Sequence, residues 1–286
     1  MKLLSLLDHL AAASEVSPAA TPRRDLLAQL GRAAAMALPV GLGAALPAAA
    51  ETKDTSFDAL TQLLQLERLQ AALYAQGLAA TGLIPAGQAA DFQRLLAHQN
   101  QHIALYVQSL QGAGALVPAQ PTFDFSGRRN VVSNPELFPN VLTNYDNFLA
   151  LAQQLEDLGV RTYKTHAFDF TYDYRLAKAV LRMHSVEAQH SAHVRALRRA
   201  RGAAVQNWPS EEDATIARPA GAQALTTAAT GGEENAIQFI TAGAKIPFAN
   251  FLLIRDKTAI HDPALAEAFD EPISSTAAQA ALDLFS

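Results

Sequence analysis

Two glutamates of this chain stand inside apolar helical stripes, and they stand there in the same phrase. Residues 65–74 read QLERLQAALY, with Glu67 among Leu63, Leu66, Ala71 and Leu73. Residues 154–163 read QLEDLGVRTY and return Gln, Leu, Glu, Leu and Tyr at the same offsets, with Glu156 in the place of Glu67. Burying an unpaired carboxylate is costly. A fold that buries two at matched places must bring positive charge to both.

Beyond residue 55 the apolar spacing is helical and strand-like alternation is scarce. The pattern predicts helices over 56–77, 88–111, 141–164 and 174–201. The piece TFDFSGRRNVVSNPELFPN crosses over between the second and the third. The expected fold class is all-α, a four-helix bundle of two antiparallel hairpins joined by that long connection. Residues 51–203 form the bundle in this reading. Residues 204–286, punctuated by Pro and Gly, are expected to pack on it as an extension of short helices and loops, AIQFITAG and PFANFLLI among them.

The hairpins set the glutamates level with other polar groups. Glu67 lies about 16 residues before the middle of the first inter-helix loop, and about 16 residues beyond it comes Gln99, with His102 one turn further. In the second hairpin Glu156 pairs in the same way with Glu187, and His190 follows one turn on. Each helix pair thus offers one Glu and one [Glu/Gln]-x-x-His. The i, i+3 spacing aims both side chains of a pair at a common centre. This is the ligand pattern of di-metal carboxylate bundles. Divalent ions would explain why carboxylates share an interior.

Other groups are read differently. His98 and His193 fall outside the ligand set, while His184, one turn before Glu187, is placed to orient it. Tyr74 and Tyr163 each follow a glutamate by seven residues, about 10 Å along the axis, and are expected to fill the core. The run from Arg195 to Arg201 is expected to be a solvated helix end that complements the helix dipole.

The stretches LLQLERLQAALYAQGL, LLAHQNQHIALY, LAQQLEDLGVRTYKTHA and LRMHSVEAQHSAHVRALRRA, with FDFSG in the crossover and AFDEP near the end, resemble the ferritin-like domain family of exported bacterial proteins, some of them called desiccation-related. The resemblance spans most of residues 55–275. It implies a ferritin-like bundle in which Glu67, His102, Glu156, Glu187 and His190 are metal ligands. Gln99 departs from the pattern, which has a bridging Glu there, and an amide bridges metals poorly. Two ions therefore remain in competition with one, held by Glu156, Glu187 and His190 with help from Glu67. The function implied is a redox protein using iron or manganese with oxygen or peroxide, a di-metal oxidoreductase of ferroxidase or peroxide-consuming type. The alternative is a structural or stress-protective bundle with a degenerate site. Storage in a cage is disfavoured by the crossover and the long tail; a smaller homo-oligomer stays open.

Composition narrows the chemistry. The chain has no cysteine, which excludes disulfides and thiolate ligands and leaves imidazole, carboxylate and amide donors suited to iron, manganese or zinc. A net charge of −5 and the lack of a long basic run argue against nucleic acid as partner. Arg23 and Arg24 precede a run without charge from Ala33 to Ala50 that ends in three alanines. Residues 1–50 therefore read as a twin-arginine export signal, with an uncleaved leader as the rival, and imply a periplasmic or cell-envelope protein. Pro39 and Pro47 and the alanine content argue against a stable membrane span.

Overall fold

A computed structural model of the chain describes residues 55–170, 173–230, 237–241, 244–247 and 271–286. The expected leader, residues 1–50, lies outside them, as do PFANFLLI, apart from its Pro247, and most of AFDEP. Four long helices dominate: α1 (Thr55–Ala79), α2 (Ala89–Gly112), α3 (Tyr145–Thr165) and α4 (Tyr174–Ala200). Each lies within a few residues of its expected span. The largest difference is the start of α3, four residues later than expected. Asn140 adopts a positive φ of 57° there, and the Asn144 side chain caps the helix by accepting from the Asn147 N–H at 3.0 Å. Asp173 caps α4 by accepting from the N–H groups of Arg175 and Leu176 at 2.9 and 3.0 Å.

Side-chain partners fix how the helices run. Ser56 at the start of α1 donates to the Asp169 carbonyl just beyond α3, and Gln70 donates to the Leu155 carbonyl. Gly77 near the end of α1 faces Phe148 near the start of α3, so closely that a Cβ on Gly77 would lie 2.4 Å from the ring. These pairs make α1 and α3 antiparallel. Short connections make α1 with α2 and α3 with α4 antiparallel as well, and Glu67 meets His102 and Asp146 meets Arg201 across these pairs. Two hairpins with a crossover along the bundle are the result, as expected.

The extension consists, among the described residues, of α5 (Gln223–Thr230), an antiparallel ribbon of β1 (Ile237–Thr241) and β2 (Ala244–Pro247), and α6 (Ser275–Leu282). The short helices match the expectation; the ribbon replaces part of the expected helices and loops. Its first strand is Ile-Gln-Phe-Ile-Thr, rich in β-branched and aromatic residues. Leu225 and Ala228 of α5 and Ala278, Ala281 and Leu282 of α6 belong to the same core as the bundle. Phe285 stacks on Phe138 of the crossover, ring centroids 4.9 Å apart.

With hairpin partners on one side and the extension on the other, α3 is enclosed: every residue from Phe148 to Tyr163 is buried. Its polar side chains find partners rather than solvent. Arg161 donates to the carbonyls of Glu271 and Ala228. Asp157 receives Arg195 of α4 through two hydrogen bonds, Nε to Oδ1 at 2.9 Å and Nη2 to Oδ2 at 2.7 Å, plus the Ser191 hydroxyl at 2.6 Å. Asp213 and the Trp208 carbonyl complete the guanidinium. The solvated-end reading of Arg195–Arg201 therefore fails at Arg195, which is fully buried because the loop around Ser210–Asp213 folds over it. It holds at Arg199 and Arg201, which are exposed.

Breaking a buried pair leaves a charge without compensation, at a cost of about 3–5 kcal/mol. Asp157→Ala is expected to lose that much stability in urea unfolding. A loss below about 1 kcal/mol would mean that Asp213 alone neutralises Arg195.

Candidate metal centre

The six residues singled out by spacing meet in one place. Glu67, Gln99, Glu156 and Glu187 are fully buried, His102 and His190 nearly so at 7% and 3% exposure. Nδ1 of His102 lies 3.2 Å from both oxygens of Glu67 and 3.3 Å from Oε1 of Glu187. Nδ1 of His190 lies 3.4 Å from the same Glu187 oxygen and 3.6 Å from Oε2 of Glu156. Two triads result, Glu67–His102–Glu187 and Glu156–His190–Glu187, and in each the ligand atoms lie within 4.8 Å of one another. Glu187 belongs to both.

Hydroxyls and amides hold the carboxylates from outside. Tyr163 of α3 donates to Glu67 of α1, and Tyr74 of α1 donates to Glu156 of α3. Tyr106 donates to the Tyr163 hydroxyl at 2.8 Å. Gln70 donates to Oε2 of Glu156 and of Glu187 at 3.2 and 3.1 Å. With its nitrogen turned to the carboxylates, Gln99 donates to Glu67 Oε2 at 3.1 Å and Glu187 Oε1 at 3.3 Å. Gly159 is needed for this packing, since a Cβ there would lie 2.9 Å from the Gln70 nitrogen and 3.2 Å from Glu187 Oε2.

The tyrosines are thus more than core filling. A spacing argument along one helix compares Tyr74 with Glu67, and both lean toward the same end of α1. Across antiparallel helices the leans oppose: Tyr74 and Glu156 tilt toward each other, as do Tyr163 and Glu67. The repeated Tyr at the same offset in both phrases was the available signal.

The histidines outside the ligand set also sort themselves. Nδ1 of His98 lies 2.9 Å from Nε2 of His190, with the rings nearly coplanar at 11° and their centroids 5.2 Å apart, edge to edge. Among the described residues His184 makes no hydrogen bond to Glu187, and its buried Nε2 finds no partner. The orienting contact with Glu187 expected of His184 is not made; the outer histidine that reaches the cluster is His98, which meets His190 across the α2–α4 packing. His193 approaches Asp91 at 3.7 Å, away from the cluster.

Burial sets the charge state of the metal-free cluster. It pushes the Glu67 and Glu156 carboxyls up to about 7 and about 8, helped by the charge of Glu187. Burial also opposes ionisation of Glu187, but the positive charges of His190 and His102, with the hydrogen bond from His102, overcome it and hold that carboxyl well below the usual range. Burial disfavours both imidazolium ions too, yet the carboxylates win and raise His102 to about 9 and His190 to about 11. Burial likewise raises Tyr74, Tyr106 and Tyr163, which stay neutral donors. Protons occupy the places that cations would take.

The donor set fits a divalent metal. It offers three carboxylates and two imidazoles without thiolate. Among the described residues Nδ1 of His190 makes no hydrogen bond, yet it is buried 3.4 and 3.6 Å from oxygens of Glu187 and Glu156, so a cation held by those oxygens would have this nitrogen within reach once it is deprotonated.

A family model described as ferritin-like domain matches residues 55–200, from the first residue of α1 to the last of α4 and just over half of the chain. The chain belongs to the ferritin-like domain family. A search of curated proteins finds no significant match.

Stability of the metal-free chain should fall as pH rises. Glu67 and Glu156 keep protons in the folded state that the unfolded state releases from pH 4.5 upward, so folding loses ground until about 7 or 8. The imidazoles act in the same sense from 6.5 to about 9 and about 11. Thermal melts in chelator are expected to move to lower temperature between about pH 5 and about pH 9. A flat or rising midpoint would contradict this protonation pattern.

Proposed function

We propose that this ferritin-like bundle is an exported redox protein that holds two divalent ions, iron or manganese, and uses them with oxygen or peroxide. The observation that carries the reading is the pair of buried triads joined at Glu187. One ion would be held by Glu67, His102 and Glu187 and the other by Glu156, His190 and Glu187, while Gln99 offers no carboxylate to either. When bound, such ions supply Lewis acidity and a change of oxidation state. The chain supplies the rest. Tyr163 and Tyr74 each occupy Oε1 of an outer carboxylate, which leaves Oε2 to face the centre. The apolar surround formed by Leu63, Leu66, Leu155 and their neighbours keeps bulk water away. Binding a cation requires both imidazoles and the outer carboxyls to release protons, so uptake strengthens with rising pH while the metal-free fold weakens.

The proposed compartment, periplasm or cell envelope, rests on the twin-arginine phrase of residues 1–50. Among the described residues no helix is long and apolar enough to cross a membrane.

A second reading has its own support. Gln70 and Gln99 donate to the carboxylates from within the cluster, and with the tyrosine hydroxyls they give each carboxylate hydrogen bonds without a cation. A protective, metal-free bundle is the function that follows.

Anaerobic loading with ferrous iron, followed by oxygen, separates the two. The redox reading expects two irons per chain and rapid oxidation. Glu187→Ala should abolish both positions, Glu67→Ala and Glu156→Ala one each, and Gln99→Glu should tighten the pair. A folded chain that takes up no iron would hand the function to the protective reading.

A further inference from the structure

The two imidazoles of the cluster are not held alike. Nδ1 of His102 hydrogen-bonds both oxygens of Glu67, and among the described residues no side chain hydrogen-bonds its other nitrogen. His190 is the reverse case. Its Nδ1 makes no hydrogen bond, and its Nε2 meets Nδ1 of His98 at 2.9 Å. The asymmetry has a cause in the sequence. The position one before Gln99 on α2 is His98, and the matching position one before Glu187 on α4 is Val186, which offers His102 nothing.

Once His190 is neutral, as binding a cation requires, the two facing ring nitrogens share one proton. If it sits on His98, Nε2 of His190 accepts, and the proton of neutral His190 is forced onto Nδ1, against Glu156 and Glu187. If it sits on His190, Nε2 donates to His98 and Nδ1 presents a lone pair to those carboxylates. Only the second tautomer can bind a cation. The two rings meet edge to edge and nearly coplanar, at 11°, so the N–H···N line lies in both ring planes and His98 is aimed to accept. His98 is only partly buried while the ligands are enclosed, so its own proton, on Nε2, has solvent within reach.

We propose that His98 is a positioning residue that fixes His190 with Nδ1 free, and that it thereby makes Glu156–His190–Glu187 the tighter of the two cation positions. The inference rests on the metal-binding reading above. It assigns an order of loading that neither the ligand set nor the family pattern contains.

Cobaltous ion titrated into the full chain, followed by its visible ligand-field bands and by equilibrium dialysis, tests this. The wild-type chain should show one tight and one weaker equivalent. His98→Ala should weaken the tight equivalent by about 10–100-fold and shift its bands, leaving the weaker equivalent and the thermal melt unchanged. His98→Gln, whose amide oxygen accepts the same bond from Nε2, should restore both affinity and spectrum. If the His98→Ala titration superimposes on the wild type, or if Ala and Gln weaken binding equally, the role of His98 is overturned and metal binding stands. A wild-type chain that binds no cobalt would overturn the metal-binding reading and this inference together.

Discussion

Glu187 is the group on which the rest of the interior depends. An ionised carboxylate with no exposed surface is untenable without compensation, and here two imidazoles from different hairpins provide it, each within 3.4 Å of the same oxygen. That double attraction ties the hairpins through their centre. The outer carboxylates, denied a full cation of their own, take up protons and hydroxyl donors instead. Gln70 reaches in from α1 only because Gly159 leaves room. Each of these arrangements is a response to one buried negative charge.

The backbone repeat and the side-chain chemistry part company at the cluster. Superposing the hairpins in sequence pairs Glu67 with Glu156, Tyr74 with Tyr163 and His102 with His190, which agree. It also pairs Gln70 with Gly159, Gln99 with Glu187 and Tyr106 with Val194, which do not. The matched pairs build the frame of the centre. The mismatched pairs decide which half carries the negative charge, which half receives an amide and which has a hydroxyl chain behind it.

Much of this was legible in the residues. The repeated QLE phrase, the i, i+3 pairs and equal distances from the loops sufficed to place all six central groups, because each inference ran along one helix or across one tight hairpin, where geometry is nearly fixed. What escaped were contacts between hairpins. Tyr74 and Tyr163 required knowing that α1 and α3 are antiparallel, and His98 required the α2–α4 register. Arg195 read as a helix-end cation because nothing local reveals that a loop 15 or so residues onward will bury it. The late start of α3 turned on a cap whose geometry depends on the left-handed Asn140 before it.

The enclosure of α3 bears on how the chain comes off the ribosome. Helices α1 to α4 are complete by Ala200, yet one flank of α3 is closed by α5 and α6, and Phe285, just beyond α6, sits on Phe138 nearly 150 positions earlier. Until those later residues emerge, Gln154, Arg161 and their apolar neighbours have water or a chaperone against them rather than protein. The high contact order of that last closure makes it the slow stage of folding. The nascent hairpins carry the whole ligand set before they carry a finished core.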